Sequence, residues 1–99
     1  MTASGPVVSW IESLDDSIRH RIKSRLARVV LGNLGDYKLL EDGVGELKFQ
    51  FGSGYRIYYG EVEGVIILLL CAGDKKTQKK DIKMAKIYLT DYLRGENHG

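Results

Sequence analysis

Arg56 is the residue in this chain with the most chemical reach. It stands mid-strand in GYRIYY, directly after the turn Gly52-Ser53-Gly54. A guanidinium grips phosphate bidentately and keeps its charge, so an arginine there suits a phosphate-bearing ligand. The bland alternative is a solvated arginine paired with Glu46 or Glu61. Lys48 lies one strand earlier with matching parity. It can hold phosphate as a point charge, or exchange a proton if clustered cations lower its pKa. Taken singly it reads more readily as a solvated lysine. Glu46, two residues before it, could be a general base or a salt-bridge partner of Lys48 or Arg56. Lys75, Lys76, Lys79 and Lys80, with Gln78 among them, surround the expected start of the last helix. Free N–H groups at a helix N-terminus already favour anions, and lysines there build a phosphate site. Such a basic run can also be merely solubilising. Tyr58 has the parity to join this face and stack on a base. Tyr55 and Tyr59 have core parity. A phosphate-bearing partner follows from this grouping, with RNA the first choice.

The elements that must position these residues are legible in outline. Ser4-Gly5-Pro6 opens a helix, since proline suits the first turn. Val7, Trp10, Ile11 and Leu14 follow at helical spacing. Asp15-Asp16 starts a second helix, in which Ile18, Ile22, Leu26 and Val29 repeat until Gly32-Asn33 stops it. Residues 36–40 are a short strand. Asp42-Gly43 is a turn. From Glu46 to Phe51 apolar and polar residues alternate, Leu47, Phe49 and Phe51 against Glu46, Lys48 and Gln50. A hairpin centred on Ser53 would set Gln50 opposite Arg56 and Lys48 opposite Tyr58. Glu63-Gly64 makes the next turn. Val65 to Cys71 is apolar on both faces, as in a central strand. Asp74 or Thr77 caps a last helix carrying Ile82, Ala85 and Leu89 inward. Residues 1–6 and 95–99 are expected to be flexible. The order predicts one α+β domain over 1–99: a helical hairpin, a three- to four-stranded mainly antiparallel sheet and a C-terminal helix.

Composition narrows the classes. With 99 residues, one domain with a modest core is expected. A net charge of +2 does not by itself imply nucleic acid; placement carries that inference. Cys71 is the single cysteine, so no intrachain disulfide can form, and a reduced buried thiol in a cytoplasmic protein is expected. His20 and His98 are far apart, and no metal motif, Walker loop, dinucleotide fingerprint or Ser-His-Asp order is present. MTASGPVV lacks the features of a signal peptide, and the apolar run from Val65 to Ala72 is too short for a bilayer. No membrane partner is expected.

Three segments carry a resemblance: WIESLDD from Trp10, LGNLGDYKLLEDGVGELKFQFGSGYRIYY from Leu31, and LLLCAGDKKTQKKDIKMAK from Leu68. Together they resemble the RelE/ParE superfamily of type II toxins, closest to the HigB-like addiction-module killer proteins. The resemblance implies a microbial-RNase-like fold and messenger RNA cleavage on the translating ribosome. It implies no metal or other cofactor, attack of a ribose 2′-hydroxyl on the adjacent phosphate, and a small antitoxin laid over the basic face. By position, Arg56 is the expected transition-state cation, Lys48 its basic partner with Glu46 beside it, and Lys75, Lys76 and Lys79 the grip on the RNA backbone; Gln78 and Tyr58 join the RNA contacts on the reading of the residues above. Relatives usually begin with an extra edge strand, which MTASGP is too short to replace well. The sheet is therefore expected to lose a strand or to expose an edge for a partner or a second copy. No histidine lies in the strand region, so the general acid and base stay open. A gyrase inhibitor of the same fold, or a non-catalytic relic, remains the alternative. If Arg56 lies on an open polar face, Arg56→Ala should cost under roughly 1 kcal/mol.

Overall fold

A computed structural model describes residues 2–98, apart from the side chains of residues 67 and 96–98. The chain opens with a two-residue strand β1 (Thr2–Ala3), followed by α1 (Gly5–Glu12). Ser4 joins them. Its hydroxyl accepts from the Val7 N–H at 3.3 Å, capping α1, and donates to the Leu70 carbonyl at 2.8 Å. Pro6 falls in the first turn, where its missing N–H costs nothing. Helix α2 (Asp16–Val30) begins at the acidic pair and ends before Gly32, whose φ is 94°. Strands β2 (Tyr37–Leu39), β3 (Val44–Lys48), β4 (Arg56–Val62) and β5 (Val65–Gly73) then lead to α3 (Gln78–His98).

The sheet order is β1-β5-β4-β3-β2, with β1 parallel to β5 and the other pairs antiparallel. The fold class is the expected α+β, but the sheet has five strands. The N-terminal residues do supply a short parallel edge strand, held by the Ser4 N–H to the Leu69 carbonyl at 2.9 Å. Met1 lies outside the described residues. At the other end α3 runs on to His98, past the expected stop at Gly95. Gly99 lies outside the described residues.

Two tight hairpin turns set the strand register. Asp42 and Gly43 have φ of 61° and 78°, and Glu63 and Gly64 have 52° and 78°. Two successive left-handed residues match the right-handed twist of the flanking strands. The β3–β4 hairpin has a longer tip, closed by the Phe49 N–H to the Tyr55 carbonyl at 3.0 Å. Its register pairs Lys48 with Arg56 and Glu46 with Tyr58. This corrects the expected pairing of Gln50 with Arg56 and Lys48 with Tyr58. Gln50 instead turns away, and its amide donates to the Asp36 carboxylate.

Helices cover both sheet faces. Val7, Ile11, Ile22 and Val29 of α1 and α2 pack on Leu47, Phe49, Ile57, Tyr59 and Leu69. On the opposite face Ala85 and Leu89 of α3 pack on Val44, Tyr58, Leu68, Leu70 and Cys71. Alternation along β3 and β4 sends Glu46 and Tyr58 to the α3 side. The face expected to be an open cationic surface is therefore covered along most of its length. Each large side chain buried here contributes roughly 1.5–3 kcal/mol. The outer edge, β2, is exposed at all three residues.

Candidate functional site

The candidate residues meet where the β3–β4 hairpin ends and α3 begins. Arg56 is the first residue of β4 and keeps 13% of its side chain exposed. Its Nη1 donates to the Gly54 carbonyl at 2.6 Å, and its Nε lies 3.7 Å from Glu46 Oε2. Lys48, the last residue of β3, is half-buried directly across from it. The hairpin register thus brings two cations of the expected site side by side at the end of the sheet.

Glu46 is fully buried. Gln78, the first residue of α3, donates from Nε2 to Glu46 Oε2 at 3.0 Å. Glu46 is therefore closed between Gln78 and Arg56, and its carboxylate braces the guanidinium rather than facing solvent. This corrects its expected place as a base in contact with substrate. Gln78 likewise points into the sheet and not out toward an RNA strand. Glu46 Oε1 and Arg56 Nε are buried without a hydrogen-bond partner among the described residues, and the Tyr58 hydroxyl lies beside the Glu46 carboxylate. A buried polar cluster so incompletely satisfied costs stability, and such clusters persist where function needs them.

Tyr58 is fully buried beneath α3, so its ring cannot stack on a base, which corrects that expectation. Burial, and then the neighbouring Glu46 charge, push its hydroxyl pKa far above the ordinary value. Burial and then Asp81 push the Cys71 thiol up to about 12, and the cysteine is free as expected.

Lys75, Lys76 and Lys79 are exposed in the loop before α3 and in its first turn. Asp74 organises that loop by accepting from the Lys76 N–H at 2.8 Å and the Thr77 N–H at 3.2 Å. Desolvation raises the Asp74 pKa, but these N–H groups and the Ser53 hydroxyl outweigh it and hold the carboxyl below its usual value. The loop docks on the hairpin tip, with Ser53 Oγ 3.2 Å from Asp74 Oδ2. A Cβ on Gly54 would lie 3.3 Å from Arg56 Nη1 and 3.5 Å from Lys75 Cβ. Lys75 and Arg56 are therefore neighbours across Gly54, as the cationic reading requires.

A second cationic group went unread in the sequence. Arg21, Arg25 and Arg28 recur on α2 at i, i+4 and i+7 beside its apolar stripe. Arg25 is structural. Its guanidinium donates to the Lys48 carbonyl, to the Asp36 carbonyl and to the Leu34 carbonyl, the last at 2.9 Å. Burial, against the attraction of Asp36, lowers its pKa, and Arg28 lowers it further. The signal for this group is the i, i+4, i+7 helical spacing, which is legible in the sequence.

Residues 9–91 match the model of the phage-derived protein Gp49-like family (DUF891). The chain belongs to that family. The Gp49-like family is associated with toxin–antitoxin modules and is RelE-like. An uncharacterized protein of Haemophilus influenzae is 45% identical over 80 residues, covering 80% of this chain and 81% of the relative. No solved structure matches. Among the described residues of this Gp49-like protein, no group of three or more His, Cys, Asp or Glu side chains could hold a metal ion. No described helix is long and apolar enough to cross a membrane.

Proposed function

We propose that this Gp49-like protein is the toxin of a type II toxin–antitoxin module, of the HigB-like group, and cleaves messenger RNA on the ribosome. The observation that carries the reading is the Lys48–Arg56 pair set across the tip end of the β3–β4 hairpin, beside Lys75. A ribose 2′-oxygen attacks the adjacent phosphorus and the bond to the 5′-oxygen breaks. The 2′-hydroxyl loses its proton and the leaving 5′-oxygen gains one, giving a cyclic phosphate and a free 5′-hydroxyl. Arg56 stabilises the charge that gathers on the phosphoryl oxygens. Lys48, directly opposite, serves as the basic partner placed to exchange protons with the reacting oxygens. Glu46 and Gln78 hold Arg56 in place, as buried groups that position rather than react. Lys75, Lys76 and Lys79 take the RNA backbone. The cytoplasm is the compartment this substrate requires. A cognate antitoxin would neutralise the toxin by covering the same end of the sheet. The exposed β2 edge is where an extended antitoxin segment or a second copy could add a strand.

One observation favours the competing reading. The Arg56–Glu46 pair is buried enough to be explained as structure alone, as in a gyrase-inhibiting toxin or a non-catalytic relic. Growth arrest on induction, with gyrase supercoiling and intact-message levels followed in parallel, separates the two. Loss of message with supercoiling unchanged is expected. Blocked supercoiling with intact message would replace the ribonuclease reading.

A further inference from the structure

Helix α2 carries no acidic residue after Asp16 but six cationic or potentially cationic ones: Arg19, His20, Arg21, Lys23, Arg25 and Arg28. Their fates differ. Arg19 pairs with Asp16 and Glu12, and Lys23 with Glu12 at 3.6 Å. Arg25 is consumed by backbone carbonyls. Arg21 and Arg28 remain. Among the described residues no ion pair or side-chain hydrogen bond engages either of them.

Both line a shallow groove of about 350 Å³ with His20, Ser24, Arg25 and Phe51. The Arg21 guanidinium lies over the Phe51 ring, 4.0 Å from its centroid. That contact engages the guanidinium through its charge over the ring and takes none of its N–H groups into an ion pair or side-chain hydrogen bond among the described residues, so they can still meet a phosphate. Packing against Phe51 thus holds a cation at the groove that no acidic side chain among the described residues neutralises.

The groove is also close to the proposed reaction site. Phe51 belongs to the tip of the β3–β4 hairpin. Three residues on, the Gly54 carbonyl holds Arg56 and its flank meets Lys75. Arg25 bridges from the groove to the Lys48 carbonyl. Only the hairpin tip therefore separates Arg21 from Arg56.

We propose that the α2 groove is a second RNA-backbone contact, in which Arg21 and Arg28 bind phosphates of the same single strand that Lys75 and Lys76 hold across the hairpin tip. The inference rests on the ribonuclease reading for its ligand, but its test needs no cleavage. RNA is favoured over an acidic protein because the available donors are arginine guanidiniums lining a shallow groove beside an aromatic ring, on the hairpin tip whose other flank meets Lys75.

The experiment is equilibrium binding of a 2′-O-methyl oligouridylate, which cannot be cut, over a range of salt concentrations. Wild type is compared with Arg21→Gln/Arg28→Gln, with Arg28→Gln alone and with Lys75→Gln/Lys76→Gln. Arg28→Gln removes an exposed side chain with no ion pair or side-chain hydrogen bond among the described residues, so it guards against a folding artefact. Each single-strand phosphate contact adds about 0.7 to the slope of log affinity against log salt. The double arginine variant should lower the slope by about 1.4, the single variant by about half of that, and the lysine pair independently by about 1.4. A slope lowered only by the lysine variant overturns the α2 contact and leaves the ribonuclease reading standing. Weakened binding with an unchanged slope also overturns it. No binding by folded wild type overturns both the contact and the RNA-binding part of the ribonuclease reading.

Discussion

Arg56→Ala tests the site through stability before any activity is measured. Glu46 is fully buried, and its Oε2 lies 3.7 Å from the Arg56 Nε. At an effective dielectric constant of about 20 that separation gives an attraction of about 4 kcal/mol. Desolvation of the two ions offsets much of it, so the intact pair adds little net stability. Removing the arginine alone is another matter. It strands a carboxylate under α3, held there by the Gln78 amide and the neighbouring Tyr58 hydroxyl. Breaking one side of a buried pair costs roughly 3–5 kcal/mol. Total stability at this size is about 5–15 kcal/mol, so the variant loses a large share of it. Its Tm should fall by at least roughly 12 °C. The sequence alone, reading an open polar face, expects under about 1 kcal/mol. Urea unfolding of wild type, Arg56→Ala, Glu46→Gln and the double variant closes the cycle. The predicted coupling is about 2 kcal/mol or more, with the double variant milder than Arg56→Ala plus Glu46→Gln. Additive effects within about 0.5 kcal/mol would refute the idea that Glu46 braces Arg56.

Lys48→Ala should leave stability within about 1 kcal/mol while slowing RNA cleavage about 100-fold or more, read by melting and by cleavage rate on one preparation. Gly45→Ala should destabilise the fold by roughly 1–3 kcal/mol, because its Cβ would sit 2.0 Å from Tyr59 Cζ; an unchanged Tm would mean Tyr59 moves freely. The Cys71 thiol, raised from 9.0 to about 12 by burial and then Asp81, stabilises the native state while neutral. Its contribution is full below pH 9.0 and is lost as pH rises toward about 12. Cys71→Ala should therefore flatten the alkaline decline of urea-unfolding stability, and an undiminished decline would contradict the placement of the thiol.

Much of the fold was legible because local signals agreed. Proline and serine at the start of α1, the acidic pair before α2, and Asp42-Gly43 and Glu63-Gly64 each announce their element. The alternation of Leu47 and Phe49 against Glu46 and Lys48 gave the two faces correctly. What lay on the second face did not follow from it. Period-two patterning says which residues share a face but not whether a helix covers it, and α3 covers this one. That is why Tyr58 and Glu46, polar by position, are buried. The hairpin register slipped in the sequence reading because the tip has five residues between Phe49 and Tyr55, which turn residues alone do not count. The parallel β1 was hidden because two residues carry no periodicity; only their hydrogen bonds to β5 define the strand. The grouping of Arg56, Lys48 and the lysine loop was readable, whereas the bracing of Arg56 by Glu46 and Gln78 needed the packing of α3.

The most direct measurement is cleavage of a defined message in a reconstituted translation reaction, with and without ribosomes, by wild type and Arg56→Lys. Lysine keeps a positive charge beside Glu46 but lacks the planar fork that meets a phosphoryl group. Wild type should cut only with ribosomes present, leaving a cyclic phosphate and a 5′-hydroxyl. Folded Arg56→Lys should cut about 100-fold more slowly or not at all. An intact message with folded wild type, or equal cutting by both proteins, would contradict Arg56 as the transition-state cation of a ribonuclease.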